Sequence, residues 1–584
     1  MVARVLVTTA LEETWPDDGS SILFLGEWCR LHGRRSKWSS LDAVVAEYHW
    51  DDRAKLHNDY VYLQGVYEDL LDALSAKLNE VHNVNNSVRY WRILIGPWLG
   101  YFVQMLFDRW SMLKRVAETQ QVSKVKVVLR DEREVIPCDM NHFIAMFVGD
   151  AWNECIYSQI LKLISNPFEK IEVNNKSPIA ERLVVAYGFK DAITRGVGRA
   201  VGFFARHDKY FFLATGLGLK QSFLLQMRLR QLPKLWKSEV LVDCQPDMQM
   251  RKWHLPSSHN DSFVNVVISM LALHIPIAYL EGYHSLREKV AKLPWPKKPR
   301  VAFTSTAFNA DDVFKAWVAE KVESGTRLVI GQHGGNYGSA RWSFSEEHEL
   351  EIADGYLTWG WGGGPKIRPV GNFKVFPHAI KSDNLGAALM VEMTLPRYSY
   401  HLYSVPVAAG QCESYFNDQY RFVKALPVEL QKKLIVRLFP HDWEYQQASR
   451  WAEQLPNVKL DLGKNSIADL MCKSRIYIST YNATTYLESM GINFPTIIFW
   501  NTKHWELRES AIPMFDMLES VGIFHRTPES AAGHMADVWE NVNVWWSSKL
   551  VQEARIKFCY LYADNTPSIV NRLAKALESV NSTS

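Results

Sequence analysis

The sequence that decides the fold is residues 301–338, VAFTSTAFNADDVFKAWVAEKVESGTRLVIGQHGGNYG. It opens on an apolar, β-branched run and continues with apolar residues at helical spacing after Asn309 or Asp311, either of which can cap a helix. A second apolar run, 328–330, then enters a turn of small and polar residues, 331–336. This order predicts a strand, a helix and a second strand of a parallel sheet, followed by a glycine-rich loop.

The glycine-rich loop is the first candidate site. In an open α/β sheet, the loops at the carboxyl ends of the strands face the ligand crevice. His333 stands in this loop before Gly334 and Gly335, and glycines leave room for a phosphate or a sugar hydroxyl to approach closely. From this stretch alone, a ligand-binding histidine and a tight turn with an exposed histidine are equally good interpretations.

The composition is that of a globular protein with two or more domains: 584 residues, 47% apolar and 22% charged. A net charge of +3 is too small to imply a nucleic-acid partner by itself. The seven cysteines are odd in number and form no CxxC pair, so neither a zinc site nor a disulfide framework is predicted, and a reducing cytoplasm fits. The 22 tryptophans suit a sugar-binding cleft, a membrane interface or a large aromatic core.

Neither the amino terminus nor the apolar stretches predict a targeting segment or a membrane span. The first residues, MVARVLVTTALEETW, lack the pattern of a signal peptide and predict a strand from Val5 to Thr8. The apolar stretches 93–107 and 262–280 are interrupted by Gly-Pro or by polar residues, which favours core helices. The segment 224–237 mixes leucines and Trp236 with basic residues. It is compatible with an anionic membrane surface, although an ordinary solvated helix is the simpler interpretation.

The amino-terminal half combines strands with a long helical segment. Glu12 and Glu13 follow the first strand, where a carboxylate can act as general base on an acceptor hydroxyl, although two surface charges are the simpler interpretation. A helix is predicted to begin near Ser20, and a 3.6-residue apolar period predicts a helical insertion over 53–118. Further elements predicted by the same patterns are strands at 124–129 and 209–214 and helices at 140–165 and 262–292.

A second domain is predicted after a hinge near 370–385. Arg437 lies at the end of a buried-type strand that begins at Leu434, and His441 lies just past that end. This cationic pair suits an anion. The alternative interpretation is an arginine held in a salt bridge. The strand 475–479 is followed by a polar turn and a helix. Their site candidates are Thr480, Asn482, Thr484, Thr485 and Glu488.

The polar turn has the chemistry of a phosphate cradle. Hydroxyls and backbone N–H groups at a helix start bind phosphate without a lysine. Glu488 lies one turn further on, where a carboxylate can accept hydrogen bonds from both hydroxyls of a ribose. A plain strand–helix–strand unit with hydroxyl caps remains the alternative interpretation.

Four stretches, at 9–15, 48–53, 331–335 and 479–485, resemble a family of transferases encoded in bacterial O-antigen and surface-polysaccharide gene clusters. More distantly, the order QHG, YLTWG, PVGN, RLFPH and hydroxyl turn resembles GT-B transferases. These include the capsule Kdo transferases and the glycerophosphate polymerases of teichoic-acid synthesis. The resemblance spans most of the chain.

The resemblance implies roles for individual residues. His333 corresponds to the histidine at the reaction centre, a general base or a donor to the leaving phosphate, and Glu12 or Glu13 would face the acceptor. Relatives often have Arg-x-His-Pro where this chain has Arg-Leu-Phe-Pro-His, which displaces the histidine. The implied donor-binding set is Gly334, Gly335, Arg437, His441, Thr480, Asn482, Thr484, Thr485 and Glu488.

Together these observations predict a GT-B-like α/β fold of two Rossmann-like domains facing a cleft. Residues 1–370 would bind the acceptor and carry the insertion, and 371–584 would bind a nucleotide-sugar. The expected reaction is metal- and cofactor-independent glycosyl transfer onto a surface glycan or lipid-linked glycan, in the cytoplasm or peripherally on the inner membrane. No nucleic-acid partner is expected. The alternatives are a nucleotide-alditol phosphotransferase and a non-catalytic assembly protein of the polysaccharide machinery.

Overall fold

The computed structural model describes residues 4–119, 122–174, 176–182, 207–238, 244–258, 260–374, 380–565 and 567–580. Its strands form three separate sheets, and all the pairings between described strands are parallel. The sequence patterns predict one sheet on the amino-terminal side of residue 370, whereas the structure has two sheets there.

The first sheet has the strand order β3-β2-β1-β4-β5. Its strands are β1 (Arg4–Val7), β2 (Ile22–Phe24), β3 (Ala43–Val45), β4 (Val122–Val128) and β5 (Glu169–Val173). The helix expected to begin near Ser20 is wrong, because this segment forms β2. All three residues of β2 are buried, and a short run that is apolar on both faces has no period that separates strand from helix.

The second sheet contains the stretch that decides the fold, in the order β10-β9-β8-β7-β6. Its strands are β6 (Tyr210–Phe212), β7 (Val301–Thr304), β8 (Arg327–Gly331), β9 (Gly355–Thr358) and β10 (Ile367–Pro369). Between β7 and β8 a helix packs its buried Phe314 and Trp317 close to Phe211 of β6. Asp311 caps this helix by accepting from the Phe314 N–H at 2.9 Å, so the predicted strand–helix–strand unit is present.

The third sheet has the strand order β13-β12-β11-β14-β15-β16. Its strands are β11 (Ala387–Val391), β12 (Leu434–Arg437), β13 (Lys459–Asp461), β14 (Ser474–Ser479), β15 (Thr496–Phe499) and β16 (Phe524–His525). The order reverses between β11 and β14, and Val391 pairs with Ser479 at their ends. The loops after these two strands therefore leave the sheet side by side, at the switch point where open α/β sheets bind ligands.

Helices cover the faces of the sheets. Around the first sheet they are α1 (Arg35–Trp38), α2 (Arg53–His82), α3 (Val88–Thr119), α4 (Met140–Phe147) and α5 (Asp150–Leu163). Around the second sheet they are α6 (Leu219–Arg228), α7 (Ser262–His274), α8 (Tyr283–Ala291), α9 (Ala307–Ala310), α10 (Asp312–Glu323) and α11 (Phe344–Ile352). The helices that follow β11 in the chain are α12 (Ala409–Ala425), α13 (Val428–Gln431), α14 (Gln447–Gln454), α15 (Ile467–Cys472), α16 (Thr484–Gly491), α17 (Ile512–Ser520), α18 (Pro528–Val538), α19 (Val542–Trp546), α20 (Lys549–Tyr562) and α21 (Ile569–Val580).

The predicted helical insertion is confirmed as the pair α2 and α3, which pack on each other while α3 also packs on α10. The single helix expected over 262–292 is wrong, because α7 ends at His274 and Pro276 interrupts the chain before α8. Within the ranges that the structure describes, no helix combines the length and the apolar run needed to cross a membrane.

The last helix crosses from the third sheet back to the second one. Val580 of α21 lies against Gly355 of β9, and α21 packs along α6. The chain also passes between these sheets near Gly371, whose φ is +97°, and the Asn372 N–H donates to the Asp564 carbonyl at 2.7 Å. The two crossings therefore lie side by side, and the domain boundary near residue 370 stays a prediction.

Ion pairs join the first and third sheets directly. The buried guanidinium of Arg397 lies 2.8 Å from the carboxylate of Asp150, the first residue of α5. Arg53, at the start of α2, donates to Glu506 at 2.6 Å and 2.9 Å. Together with the packing of the insertion on the second sheet, these contacts enclose a cleft. The predicted fold class, parallel α/β units facing a cleft with a helical insertion, is confirmed.

Candidate functional site

A cavity of about 550 Å³ lies between the carboxyl ends of strands in the second and third sheets, a size typical of small-ligand sites. It is bounded by His333 after β8, by Met393 and Thr394 after β11 and by Tyr101 of the insertion. Its position outside the switch point of the third sheet is the one expected for a ligand crevice. The lining residues are Tyr101, Ile144, Phe147, Val148, Thr306, Phe308, Asn309, His333, Gly334, Asn336, Tyr337, Ser343, Ser345, Met393, Thr394, Leu395, Pro396, Tyr400, His401, Tyr403, Phe439 and Trp443.

The glycine loop and the hydroxyl turn touch each other across the cleft. A Cβ placed on Gly335 would lie 2.1 Å from the Ala483 carbonyl oxygen and 2.6 Å from the Thr484 nitrogen. The Asn482 side chain lies 3.3 Å from the Ser339 hydroxyl on the other side of the same contact. The two turns that the sequence singles out, about 150 residues apart, thus meet with only a glycine between their backbones.

Gln332 holds the glycine loop in shape. Its buried side chain donates to the Gly334 carbonyl at 2.8 Å. Its amide oxygen accepts from the Trp359 N–H at 3.0 Å and from the Trp361 indole at 2.9 Å. Because every polar atom of this amide is engaged at close to ideal distance, the loop that carries His333 is fixed.

His333 lines the cavity with 31% of its side chain exposed. Its Nε2 lies 3.3 Å from the Tyr337 hydroxyl and its Nδ1 lies 3.8 Å from Glu349. Burial, with a smaller contribution from the charge of Lys374, lowers the pKa of His333 to about 4. The imidazole is therefore neutral at pH 7, the protonation state of a general base.

Glu349 forms a fully buried support behind His333. It accepts hydrogen bonds from the hydroxyls of Tyr337 at 2.6 Å and Tyr356 at 2.9 Å. Burial raises the pKa of this carboxyl well above its usual value, and the two tyrosine hydrogen bonds oppose that rise. The same hydrogen bonds hold Tyr337 beside the imidazole.

Lys374 and Glu488 face each other where the chain enters the third sheet. Burial raises the pKa of Glu488 to about 7, and the charge of Lys374 opposes that rise. Burial likewise lowers the pKa of Lys374, and Glu488 opposes that fall. Among the described residues neither side chain makes a direct ion pair, and the Lys374 ammonium lies 5.8 Å from the Trp359 ring centre. Lys374 therefore lies within electrostatic range of both His333 and Glu488, although neither Lys374 nor Glu488 is among the described residues that line the cavity.

The residues of the hydroxyl turn divide into two groups. The Thr480 hydroxyl is buried, where it donates to the Val391 carbonyl at 2.8 Å and lies 2.7 Å from the Tyr415 hydroxyl. Asn482 is also buried, bonded to Ser339 and Tyr486, so these two side chains shape the turn. The half-buried pair Thr484 and Thr485 begins α16, where backbone N–H groups lack helical partners.

Arg437 and His441 lie beside the cavity without being among the described residues that line it. Arg437 is 2.8 Å from Asp461 and donates to the Asn465 carbonyl at 2.6 Å, the ion-paired arrangement that the sequence left open. His441 is exposed, and its ring centre lies 3.9 Å from that of Trp443, which does line the cavity. Their donor-binding roles stay predictions.

A model of the LIC12162 family of transferases matches residues 4–577. The chain belongs to this family. The match runs through all three sheets, so it includes both turns and the cavity between them. No curated protein matches this LIC12162 family transferase significantly.

Several solved structures resemble the LIC12162 family transferase in part. Acinetobacter baumannii MurG is 11% identical over 67% of this chain and 97% of its own, with a TM-score of 0.31. Anabaena Alr3699/HepE, solved with UDP-glucose, is 11% identical over 63% of this chain and 99% of its own, with a TM-score of 0.36. WaaG, a glycosyltransferase involved in lipopolysaccharide biosynthesis, is 12% identical over 50% of this chain and 94% of its own, with a TM-score of 0.25. At these identities and scores, the likenesses carry no information about site chemistry.

The two amino-terminal carboxylates of the LIC12162 family transferase lie at the first sheet. Glu12 is 2.5 Å from Lys37 and 3.3 Å from Arg34. Glu13 accepts from the N–H of Ser177 at 3.0 Å and from its hydroxyl at 2.8 Å. Neither is among the described residues that line the cavity, so the structure does not bring them together with His333. Their acceptor-side role stays a prediction.

An aromatic wall of the transferase cavity is the part that motif reasoning missed. The half-buried His401 ring stacks between Tyr101 at 4.7 Å and Tyr403 at 4.8 Å, with interplanar angles of 12° and 15°. The Tyr400 and Tyr403 hydroxyls lie 3.1 Å apart, and burial lowers the pKa of His401 to about 3. The run YSYHLY in the sequence was a signal, since such a density of rings is typical of carbohydrate-binding surfaces.

Proposed function

We propose that the protein transfers a sugar from a nucleotide-activated donor, CMP-linked donors included, onto a bacterial surface glycan such as O-antigen. The observation that carries this proposal is the contact between Gly335 and the start of α16 at Ala483 and Thr484. It supports the proposal because the start of α16, where a phosphate would bind, lies against the loop that carries His333, and His333 lines the cavity of about 550 Å³. Membership of a transferase family agrees with this chemistry.

The donor's phosphates would bind at the first turn of α16. There the unpaired N–H groups and the hydroxyls of Thr484 and Thr485 can donate, and the positive end of the helix dipole favours an anion. Lys374, whose positive charge acts on both His333 and Glu488, would attract the same phosphates. These groups can neutralise a leaving phosphate without a metal ion.

Glu488 would hold the ribose of the donor. It lies one turn beyond the phosphate-binding residues on α16, and its half-buried carboxyl is coupled to Lys374. An ionised carboxylate accepts hydrogen bonds from two neighbouring hydroxyls, whereas the protonated form accepts less well. A pKa of about 7 makes donor binding depend on pH near neutrality.

His333 would act as general base. The acceptor hydroxyl gives its proton to the neutral imidazole while its oxygen bonds to the anomeric carbon of the donor sugar. The bond from that carbon to the phosphate oxygen breaks, and the nucleotide leaves with the electron pair. Tyr337, whose hydroxyl lies 3.3 Å from Nε2, would hold the imidazole in place during this step.

The acceptor would lie along the aromatic wall formed by Tyr101, Tyr400, His401 and Tyr403. Aromatic faces pack against the C–H bonds of sugar rings, and the tyrosine hydroxyls orient their polar groups. Such a wall suits a growing glycan, either free or linked to a lipid. A lipid-linked acceptor would place the protein peripherally on the cytoplasmic face of the inner membrane.

A thermal-shift screen against CMP, CDP, UDP, GDP and their sugars tests the proposal. Ligand at 100 times its Kd stabilises a protein by about 2.7 kcal/mol. We expect one nucleotide to raise the melting temperature of the wild type, with little rise in Thr484→Val. The control Thr119→Val removes an exposed hydroxyl far from the site and should respond like the wild type.

The product then separates the alternatives. A new glycosidic bond supports the proposal, whereas a new phosphodiester in the product selects the alditol phosphotransferase. If no nucleotide or nucleotide-sugar binds, the enzyme assignment is refuted and the non-catalytic assembly role is favoured.

A further inference from the structure

The helix α6, at the edge of the second sheet, buries polar side chains and exposes apolar ones. It buries Ser222 and Gln226 together with Leu225. Its outward face carries Leu219 and Met227, which are 65% and 53% exposed, along with Phe223 and Leu224. A surface helix of a soluble protein normally presents the opposite pattern, so these side chains are arranged for contact with something outside the chain.

The segment after α6 extends this apolar face in a fixed conformation. Leu232 and Leu235 are 70% and 60% exposed. The backbone between them is bound back onto α6, because the buried Gln226 side chain exchanges two hydrogen bonds with Lys234, at 3.0 Å and 2.9 Å. Gln231 likewise exchanges two hydrogen bonds with the backbone of Tyr210. The leucines therefore project outward from an ordered scaffold.

The charges around this face are positive. The segment 216–238 contains no aspartate or glutamate, and Lys220, Arg228 and Arg230 are exposed along it. Within the described part of the chain, few acidic groups reach it from packed elements. Glu578 of α21 lies 3.9 Å from Arg228, and Asp208 pairs with the buried Lys234. A second copy of the same basic face would be repelled, which disfavours a symmetric dimer through it.

We propose that this docking surface, formed by residues 219–235, binds the anionic lipid surface of a membrane. Its leucines, Phe223 and Met227 would enter the headgroup region, while Lys220, Arg228 and Arg230 would lie against the lipid phosphates. The face is apolar, is bordered by basic residues and has no acidic residue within its own segment. It therefore fits an anionic membrane better than it fits an acidic or neutral protein. The inference is independent of which group the enzyme transfers.

The docking surface begins next to the catalytic cleft. A Cβ on Gly216 would lie 3.7 Å from Phe373, the neighbour of Lys374. The Ser305 hydroxyl donates to the Thr215 carbonyl at 2.8 Å, one residue before Thr306 in the cavity lining. A membrane bound at this surface would therefore lie beside the cavity, within reach of a substrate carried on a lipid.

Vesicle co-sedimentation of the full chain tests the inference. We expect binding to vesicles of phosphatidylcholine with 30% phosphatidylglycerol that weakens in high salt, and little binding to pure phosphatidylcholine. The variant Lys220→Gln/Arg230→Gln should lose about 25-fold in partition, since each basic residue near such a surface contributes about fivefold. Leu219→Ser/Leu232→Ser should fall to the level of neutral vesicles. The control Lys366→Gln/Arg368→Gln, at the opposite edge of the same sheet, should bind like the wild type.

Three results would overturn the inference. They are absence of binding to the anionic vesicles, equal losses in the variant and the control, and a concentration-dependent dimer that Leu219→Ser/Leu232→Ser abolishes in analytical ultracentrifugation. The last would assign the surface to a second copy of the chain. The side chains substituted in the two variants of the docking surface are exposed, Arg368 of the control is half-buried, and circular dichroism verifies folding. If the leucine variant does not fold, the charge variant decides. Nucleotide binding should be unchanged in every variant, which separates this inference from the proposed reaction.

Discussion

Replacing Gly335 with alanine tests directly whether the two turns form one site. The new Cβ would lie 2.1 Å from the Ala483 carbonyl oxygen, and ordinary contact begins at 3.4 Å, so the turns must separate by 3.4 − 2.1 = 1.3 Å. The obstructing atoms are backbone atoms, which cannot rotate away as a flexible side chain can. Overpacking of this kind costs about 1–3 kcal/mol.

Calorimetric unfolding and a steady-state turnover assay measure the two consequences. For a chain of this length, a loss of about 1–3 kcal/mol lowers the melting temperature by roughly 1–3 °C. A displacement of about 1 Å is expected to lower kcat/KM roughly 100-fold. The matched control is Gly65→Ala, because its Cβ would meet open space and alanine stabilises a helix interior by about 0.5–1 kcal/mol. A Gly335→Ala protein with wild-type stability and full turnover would refute the contact between the turns.

The remaining predictions concern individual groups of the site. His333→Ala should lower kcat about 10²- to 10⁴-fold while isothermal titration shows unchanged nucleotide affinity; full turnover would remove His333 from the mechanism. Glu488 ionises as pH rises through about 7, so nucleotide affinity should increase about tenfold from pH 6 to pH 8. Glu488→Gln should abolish that dependence, and a pH-dependent Glu488→Gln variant would contradict the assignment. Tyr337→Phe removes a donor to buried Glu349 and should destabilise the protein by about 1–3 kcal/mol in calorimetry; an unchanged melting temperature would contradict this.

The sequence predicts the elements whose signals are local. Asp311 precedes a helix with a strong apolar face, and Gly331 to Asn336 are small or polar, so the strand–helix–strand unit and its loop can be located without a structure. The strand–turn–helix around Thr484 is predictable for the same reason, because its hydroxyls stand between an apolar strand and an apolar helix. The meeting of these two turns follows from the rule that ligands bind at strand carboxyl ends.

What the sequence does not predict depends on contacts between distant segments. The strands β2 and β3 are three residues each, too short for a period to appear, and the first sheet was therefore not separated from the second. Lys374 is an ordinary lysine in the sequence, and its importance comes from burial beside Glu488. The ion pair of Arg437 depends on Asp461 from the neighbouring strand, a partner set by sheet order alone.

The pairs Arg397–Asp150 and Arg53–Glu506 have a kinetic consequence for substrate capture. Pulling the third sheet away from the first would leave guanidinium and carboxylate groups unpaired in a largely dry interface, at a cost of several kcal/mol. A wide swing of the residues after 371 away from the first sheet is therefore disfavoured by about this amount. A binding space that is already formed loses less conformational entropy when a substrate associates.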